Sequence, residues 1–86
     1  MPYARGTVVC SKKGRDKGYY LVVVEETQNY LCVCDGKERP LERPKKKNVK
    51  HLSFTNTVLE SQSFNTNKQL RKSLRIFEGT YEKERN

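Results

Sequence analysis

The sequence lacks any apolar run long enough to span a membrane, and its first five residues do not form the apolar centre of a signal peptide. It has only three cysteines, an odd number that favours reduced thiols and a cytoplasmic location. One histidine and scattered carboxylates offer no acid–base pair, and there is no nucleophile elbow, phosphate-binding loop or metalloprotease helix. We therefore expect neither a membrane protein, nor a disulfide-stabilised secreted domain, nor an enzyme.

Metal ligands are also scarce. The candidate zinc ligands are Cys10, Cys32, Cys34 and His51. Structural zinc sites usually take cysteines in pairs separated by at least two residues, whereas one residue separates Cys32 from Cys34 and no second pair follows. We therefore expect no metal and no cofactor, and we interpret the cysteines as small side chains within strands.

Positive charge, in contrast, is abundant. The 86 residues include 18 Lys and Arg against 10 Asp and Glu, which gives a formal net charge of +8. Residues 1–52 carry 12 of the basic and 6 of the acidic residues, so most of the excess lies in the first part of the chain. A chain of this length supports one small domain with a limited core. The charge favours a polyanionic partner and says nothing about the fold.

The most informative stretch consists of two strand-like runs around a loop rich in glycine and charge. Thr7–Ser11 and Tyr19–Glu26 have the Val, Tyr and Thr content that is typical of strands. Gly14 and Gly18 permit backbone angles that a Cβ would penalise, and Asp16 can accept hydrogen bonds from nearby backbone amides that hold the turn. The loop then presents four cations, too many to be core residues: Lys12, Lys13, Arg15 and Lys17.

This pattern resembles the KOW motif of ribosomal and transcription-associated RNA-binding proteins. The motif combines a glycine, two valines, a Gly-Arg-Asp-Lys-Gly loop and an aliphatic strand. The matching residues are Gly6, Val8, Val9, Gly14, Arg15, Asp16, Lys17, Gly18 and Leu21 to Val24. The resemblance implies a small SH3-like barrel that binds RNA through basic loops. The alternative interpretation is an ordinary charged β-hairpin.

Three further strands complete the expected sheet. Tyr30–Cys34 predicts the third strand, with its leucine and valine pointing into the core. Asp35-Gly36 is a hairpin signal, so we expect a fourth strand from residues 37–39 that pairs back on the third. Residues 49–54 alternate loosely and could form a fifth strand. Five short strands with tight turns predict a small closed or nearly closed barrel.

The composition changes after Phe54, and the end of the chain predicts a helix. Thr66 and Gln69 form a capping-box pattern, which places a helix over Asn67–Glu78 with Gly79 just beyond its end. The apolar face of this helix consists of Leu70, Leu74 and Phe77.

The expected fold is therefore mainly β: a small five-stranded SH3-like β-barrel of the KOW type with one C-terminal α-helix. We divide the chain into the barrel (1–54), a polar linker (55–65), the helix (66–79) and a flexible tail (80–86). The barrel's aliphatic core is expected to be independent of the helix. Removal of residues 66–86 should then leave a folded barrel. The competing possibility is that Leu70, Leu74 and Phe77 cap an open barrel end, in which case the truncated chain would lose its cooperative thermal transition.

A second basic segment follows the predicted strands. Lys46 to Leu52, followed by Thr55, resembles the segment after the KOW barrel in a large-subunit ribosomal protein family of archaea and eukaryotes, which has small bacterial KOW-containing relatives. The resemblance implies RNA binding through both basic segments. Whether the two segments share one face is not readable from the sequence.

We predict a non-enzymatic, translation-associated protein that binds structured RNA such as ribosomal RNA, with the ribosome as a candidate location and a monomeric free state. The predicted RNA-binding residues are Lys12, Lys13, Arg15, Lys17, Arg39, Arg43, Lys45, Lys46, Lys47, Lys50 and His51. A helical arm would add Arg71, Lys72 and Arg75. The alternative is a protein-interaction barrel that binds a translation or transcription factor, which an exposed aromatic groove would favour.

Overall fold

The computed structural model describes residues 3–85, and the side chains of residues 3–80. Five antiparallel strands form one sheet in the order β4-β3-β2-β1-β5, and a single α-helix follows them. The elements are β1 (Thr7–Ser11), β2 (Tyr20–Glu26), β3 (Leu31–Cys34), β4 (Lys45–Lys47), β5 (Leu52–Val58) and α1 (Asn67–Arg85), with 3₁₀ turns at Val49–His51 and Ser61–Ser63. The predicted mainly β domain with five strands and a C-terminal helix is confirmed. Among residues 3–85, no helix is long and apolar enough to cross a membrane.

The predicted position of the fourth strand is wrong. Residues 35–39 instead close into a turn, because the Asp35 carboxylate accepts hydrogen bonds from the N–H groups of Lys37 and Arg39, both at 2.9 Å. The N–H of Asp35 donates to the carbonyl of Arg39 at 3.0 Å. The strand that pairs with β3 comes later, where Leu31 lies opposite Lys47.

The fifth strand also differs from its prediction. Asn48 caps a 3₁₀ turn over Val49–His51 by accepting a hydrogen bond from the N–H of Lys50 at 2.9 Å. The strand therefore begins at Leu52 and continues to Val58. Residues 55–58, which the sequence assigns to the polar linker, consequently belong to the sheet and pair with β1.

One face of the sheet buries an aliphatic cluster made by its own strands, which we call the inner cluster. Its members are Val9, Leu21, Val23, Leu31, Val33 and Leu52. The stacked rings of Tyr3 and Phe54, with centroids 4.4 Å apart, pack against this cluster. The prediction that Leu31 and Val33 point into the core is confirmed.

The opposite face is covered by the helix, and we call the buried residues there the helix-facing cluster. Its members are Val8, Val22, Cys34, Phe64, Leu70 and Leu74. Alternate strand residues point to opposite faces, so β1 supplies Val9 to the inner cluster and Val8 to the helix-facing cluster. The helix is thus part of the core. This differs from the expectation that the barrel has a core independent of the helix.

The start of α1 agrees with its sequence signals, and its end does not. The N–H of Gln69 donates to the Thr66 hydroxyl at 3.1 Å, and the Gln69 side-chain oxygen accepts from the N–H of Thr66 at 3.2 Å, which confirms the capping box. The helix continues past Gly79 to Arg85, because Gly79 does not adopt the positive φ of a helix-ending glycine. Residues 80–85 of the expected tail are therefore helical, and Asn86 lies outside the described residues.

Close packing of α1 on the sheet depends on one glycine. Gly36 has φ +80°, and a Cβ built there would lie 2.6 Å from the Asn67 carbonyl oxygen. Leu70 would be next at 3.2 Å. A side chain at position 36 would force the first turn of the helix away from the 35–39 turn.

Candidate nucleic-acid interface

The loop between β1 and β2 is held by backbone hydrogen bonds at its base. The N–H of Gly18 donates to the carbonyl of Ser11 at 2.8 Å, and the N–H of Tyr19 donates to the carbonyl of Asp16 at 2.9 Å. Gly14 and Gly18 have φ values of +89° and +88°, which confirms that the loop uses conformations open mainly to glycine. The exposed side chains of this fixed loop are Lys12, Lys13, Arg15 and Lys17.

A buried ion pair ties the loop to β4. The Lys47 ammonium lies 3.0 Å from the Asp16 carboxylate, and it donates hydrogen bonds to the Ser11 hydroxyl at 2.9 Å and the Lys13 carbonyl at 2.7 Å. Lys47 is only 6% exposed. Its three N–H donors each have a protein acceptor, so the ammonium is fully satisfied inside the protein.

The same contacts lower the pKa of the Asp16 carboxylate. Burial alone would raise its pKa, but hydrogen bonds from Lys47 and Ser11 and the charge of Lys47 together hold the pKa below its ordinary value. Asp16 therefore stays ionised and holds the turn. Its partners are the Ser11 hydroxyl at 3.0 Å and the Lys47 ammonium, both of them side chains, which the expected contacts with backbone amides did not include.

A second connection joins the loop to the 3₁₀ turn. The N–H of Lys12 donates to the carbonyl of His51 at 2.7 Å. Lys50 is exposed in this turn, and His51 is half-buried. The two basic segments, which are separated in the sequence, are therefore neighbours in the structure.

The three consecutive lysines of β4 have different surroundings. Lys45 and Lys47 lie opposite Val33 and Leu31, whereas Lys46 lies opposite Cys32 and projects to the other face of the sheet. Lys46 is exposed and Lys45 is half-buried. Lys47 is committed to Asp16, so its place in the predicted RNA-binding set is not supported by the geometry.

The remaining predicted arginines of this set, Arg39 and Arg43, lie at two different places. Arg39 and Arg15 line the same groove of about 330 Å³, together with Tyr19. Arg43 lies in the turn that begins at Pro40. That turn is tied to the start of α1 by a hydrogen bond from the Leu41 N–H to the Asn67 side chain at 2.8 Å.

The predicted helical arm is only partly available for a ligand. Arg71 donates to the carbonyl of Gly36 at 2.8 Å and therefore helps to hold the 35–39 turn on the helix. Arg75 lines a groove of about 440 Å³ between that turn and α1. Lys72 is exposed on the helix surface.

Two residues beside these grooves, Tyr19 and Lys37, lie outside the predicted RNA-binding set, although Tyr19, Tyr20 and Tyr30 are the aromatic residues that the sequence makes most available for stacking. Tyr19 is 54% exposed and borders both grooves, and Lys37 borders the larger one. Tyr19 was assigned to β2, but the strand begins one residue later and leaves this ring at the base of the loop. The adjacent Gly18 is the sequence signal for the change, since its positive φ turns the chain just before the strand.

The thiols do not form part of this surface. Cys32 and Cys34 are buried, and burial raises the pKa of Cys34 to about 11. Burial, with a smaller effect of Glu78, also raises the pKa of Cys10. Among the side chains of residues 3–80, no three His, Cys, Asp or Glu residues are grouped so that they could hold a metal ion.

Comparison with protein-family models and with curated proteins found no match.

Proposed function

We propose that this chain is a non-enzymatic RNA-binding protein that contacts the phosphate backbone of structured RNA through one cationic surface. This surface consists of the exposed side chains Lys12, Lys13, Arg15, Lys17 and Lys50 and the half-buried Lys45, with His51 beside them. The observation that carries the proposal is the buried contact between Lys47 and Asp16, which fixes the loop against the second basic segment.

The distribution of charge at the loop supports a phosphate ligand. The carboxylate of the loop is paired inside the protein, while four of its cations face solvent. Neutralised phosphates release counterions, so affinity grows with the number of such contacts. Cations on a frame with fixed backbone angles lose less freedom on binding than the same residues on a flexible tail.

We further propose that the sheet closes into a small SH3-like barrel of the KOW type. Two features support this finer description: β1 pairs with both β2 and β5, and the inner cluster is buried among the sheet's own strands. The proposed setting is the cytoplasm, with ribosomal or other structured RNA as ligand and a role in translation. Phosphate contacts carry little base information, so binding is directed by shape.

Salt dependence tests this proposal. If about five phosphates are neutralised, the logarithm of affinity for a structured RNA should fall with the logarithm of salt concentration with a slope of about −3.5 to −4.5. The double variant Lys45→Ala/Lys50→Ala should bind RNAs of different sequence more weakly and show a shallower slope. Salt-independent RNA binding, or no binding, would contradict the proposal and favour the protein-interaction alternative.

A further inference from the structure

Tyr19 presents an aromatic ring to solvent at the base of the cationic loop. Its backbone is fixed on both sides, because its N–H donates to the Asp16 carbonyl at 2.9 Å and its carbonyl accepts from the Ser11 N–H at 3.0 Å. The side chain is nevertheless 54% exposed. A flat ring on a rigid backbone can stack on a ligand with little loss of conformational freedom.

Two grooves meet at this ring. The smaller groove is lined by the cations Arg15 and Arg39 and the carboxylates Asp16 and Glu38, of which Asp16 is already paired with Lys47. The larger groove lies between the 35–39 turn and α1. Its charged lining consists of the cations Lys37, Arg71 and Arg75 and the carboxylates Asp35, Glu38 and Glu78.

The equal numbers of cations and carboxylates in the larger groove determine which kind of chemical group it can hold. A phosphate there would meet three carboxylates as well as three cations, so it gains little from the groove. A nucleobase edge is uncharged and carries both donors and acceptors, which arginine, lysine and carboxylate side chains can match. Aromatic side chains at RNA-binding surfaces characteristically stack on bases that are free of a duplex.

We infer that Tyr19 stacks on an unpaired base of the bound RNA, whose edge enters the larger groove while its neighbouring phosphates contact Arg15 and the loop. This inference rests on the proposed RNA-binding function and narrows the ligand to a structured RNA with an unstacked nucleotide beside a paired region. A continuous duplex uses the cationic surface alone.

The test compares a fully paired RNA duplex with the same duplex carrying a one-nucleotide bulge of 2-aminopurine. Wild type should prefer the bulged RNA and change the 2-aminopurine fluorescence. Tyr19→Ala should lose about 5-fold to 100-fold of its affinity for the bulged RNA, from the usual contribution of one stacked base, and leave duplex binding unchanged. Tyr19→Phe should retain the preference. Tyr30→Ala is the matched control, since Tyr30 is 44% exposed in the turn after β2.

The outcomes separate this inference from the proposed function. Equal wild-type affinity for the two RNAs, or an unreduced bulge preference in Tyr19→Ala, overturns the stacking inference, while salt-dependent duplex binding still supports the cationic surface. Failure of wild type to bind either RNA overturns both. Thermal unfolding of each variant verifies that an exposed substitution has left the fold intact.

Discussion

Replacing Lys47 with methionine should destabilise the fold more than any other change among the lysines of β4. The substitution keeps most of the apolar stem and removes the ammonium that contacts Asp16, Ser11 and the Lys13 carbonyl. Breaking one partner of a buried pair usually costs about 3–5 kcal/mol. The Asp16 side chain keeps 10% exposure and can relax towards solvent, so we expect a loss of about 2–4 kcal/mol.

Urea unfolding provides the assay, and Lys46→Met is the matched control. The control removes the same charge from an exposed neighbour, so its unfolding free energy should change by no more than about 0.5 kcal/mol. Lys47→Met should lower the urea midpoint by about 1 M or more. In Lys47→Met/Asp16→Asn, the combined loss should be smaller than the sum of the single losses by about 1–3 kcal/mol. Equal stability of the two methionine variants, or strict additivity, would refute the assigned role of the pair.

Three further predictions concern stability. The pKa of Asp16 is lower in the folded protein than in the unfolded chain. The ionised carboxylate therefore stabilises the fold fully above the ordinary pKa of Asp, and this stabilisation is lost as pH falls through the folded pKa. The difference in unfolding free energy between wild type and Asp16→Asn should therefore shrink below about pH 4. Gly36→Ala should destabilise the protein by about 1–3 kcal/mol in thermal unfolding, since φ is positive there and the Asn67 carbonyl blocks a Cβ. Gly79→Ala, at an uncrowded position of α1, should instead stabilise it by about 0.5–1 kcal/mol. Equal effects would contradict the packing described for the two glycines. Removal of residues 66–86 uncovers the helix-facing cluster and should abolish the cooperative thermal transition, and a truncated chain that unfolds cooperatively would restore the independent barrel expected from sequence.

Elements whose signals are local could be predicted from the sequence. The bounds of β1 were predicted without error, because its strand-type residues and the flanking glycines lie within a few residues of one another. The start of α1 was predicted as well, because Thr66 and Gln69 satisfy each other's hydrogen bonds within one turn. The loop glycines also followed from local chemistry, since positive φ is tolerated there by few other residues.

The errors arise where a contact joins distant parts of the chain. Nothing in three consecutive lysines shows that Lys47 is buried, because its burial depends on strand pairing and on a carboxylate 31 positions earlier. The one hint is that Asp16 stands among four cations and must find a partner. The helix end was predicted wrongly for a different reason, because a glycine permits a helix to end but does not require it to end.

The fourth strand was misplaced because the hairpin signal was read without its side-chain chemistry. Asp35-Gly36 does begin a tight turn, but the Asp35 carboxylate closes residues 37–39 into that turn. The strand could then form only after the prolines, at β4. The face covered by α1 was likewise hidden, since Cys34 and Val22 alternate with inner residues in a continuous apolar run.

Charge reversal on the loop is the most direct measurement of the central claim, that a fixed cationic surface binds RNA phosphates. Arg15→Glu/Lys17→Glu should reduce affinity for structured RNA at low salt by about tenfold or more, and should reduce the magnitude of the salt slope by about 1.4 to 1.8. The matched control compares Arg15→Glu alone with Lys68→Glu, which makes the same change of charge at an exposed position of α1 outside the predicted RNA-binding set. The Lys68→Glu control should lose much less affinity for structured RNA. Equal losses in these two single variants, or full affinity in the double loop variant, would contradict the central claim.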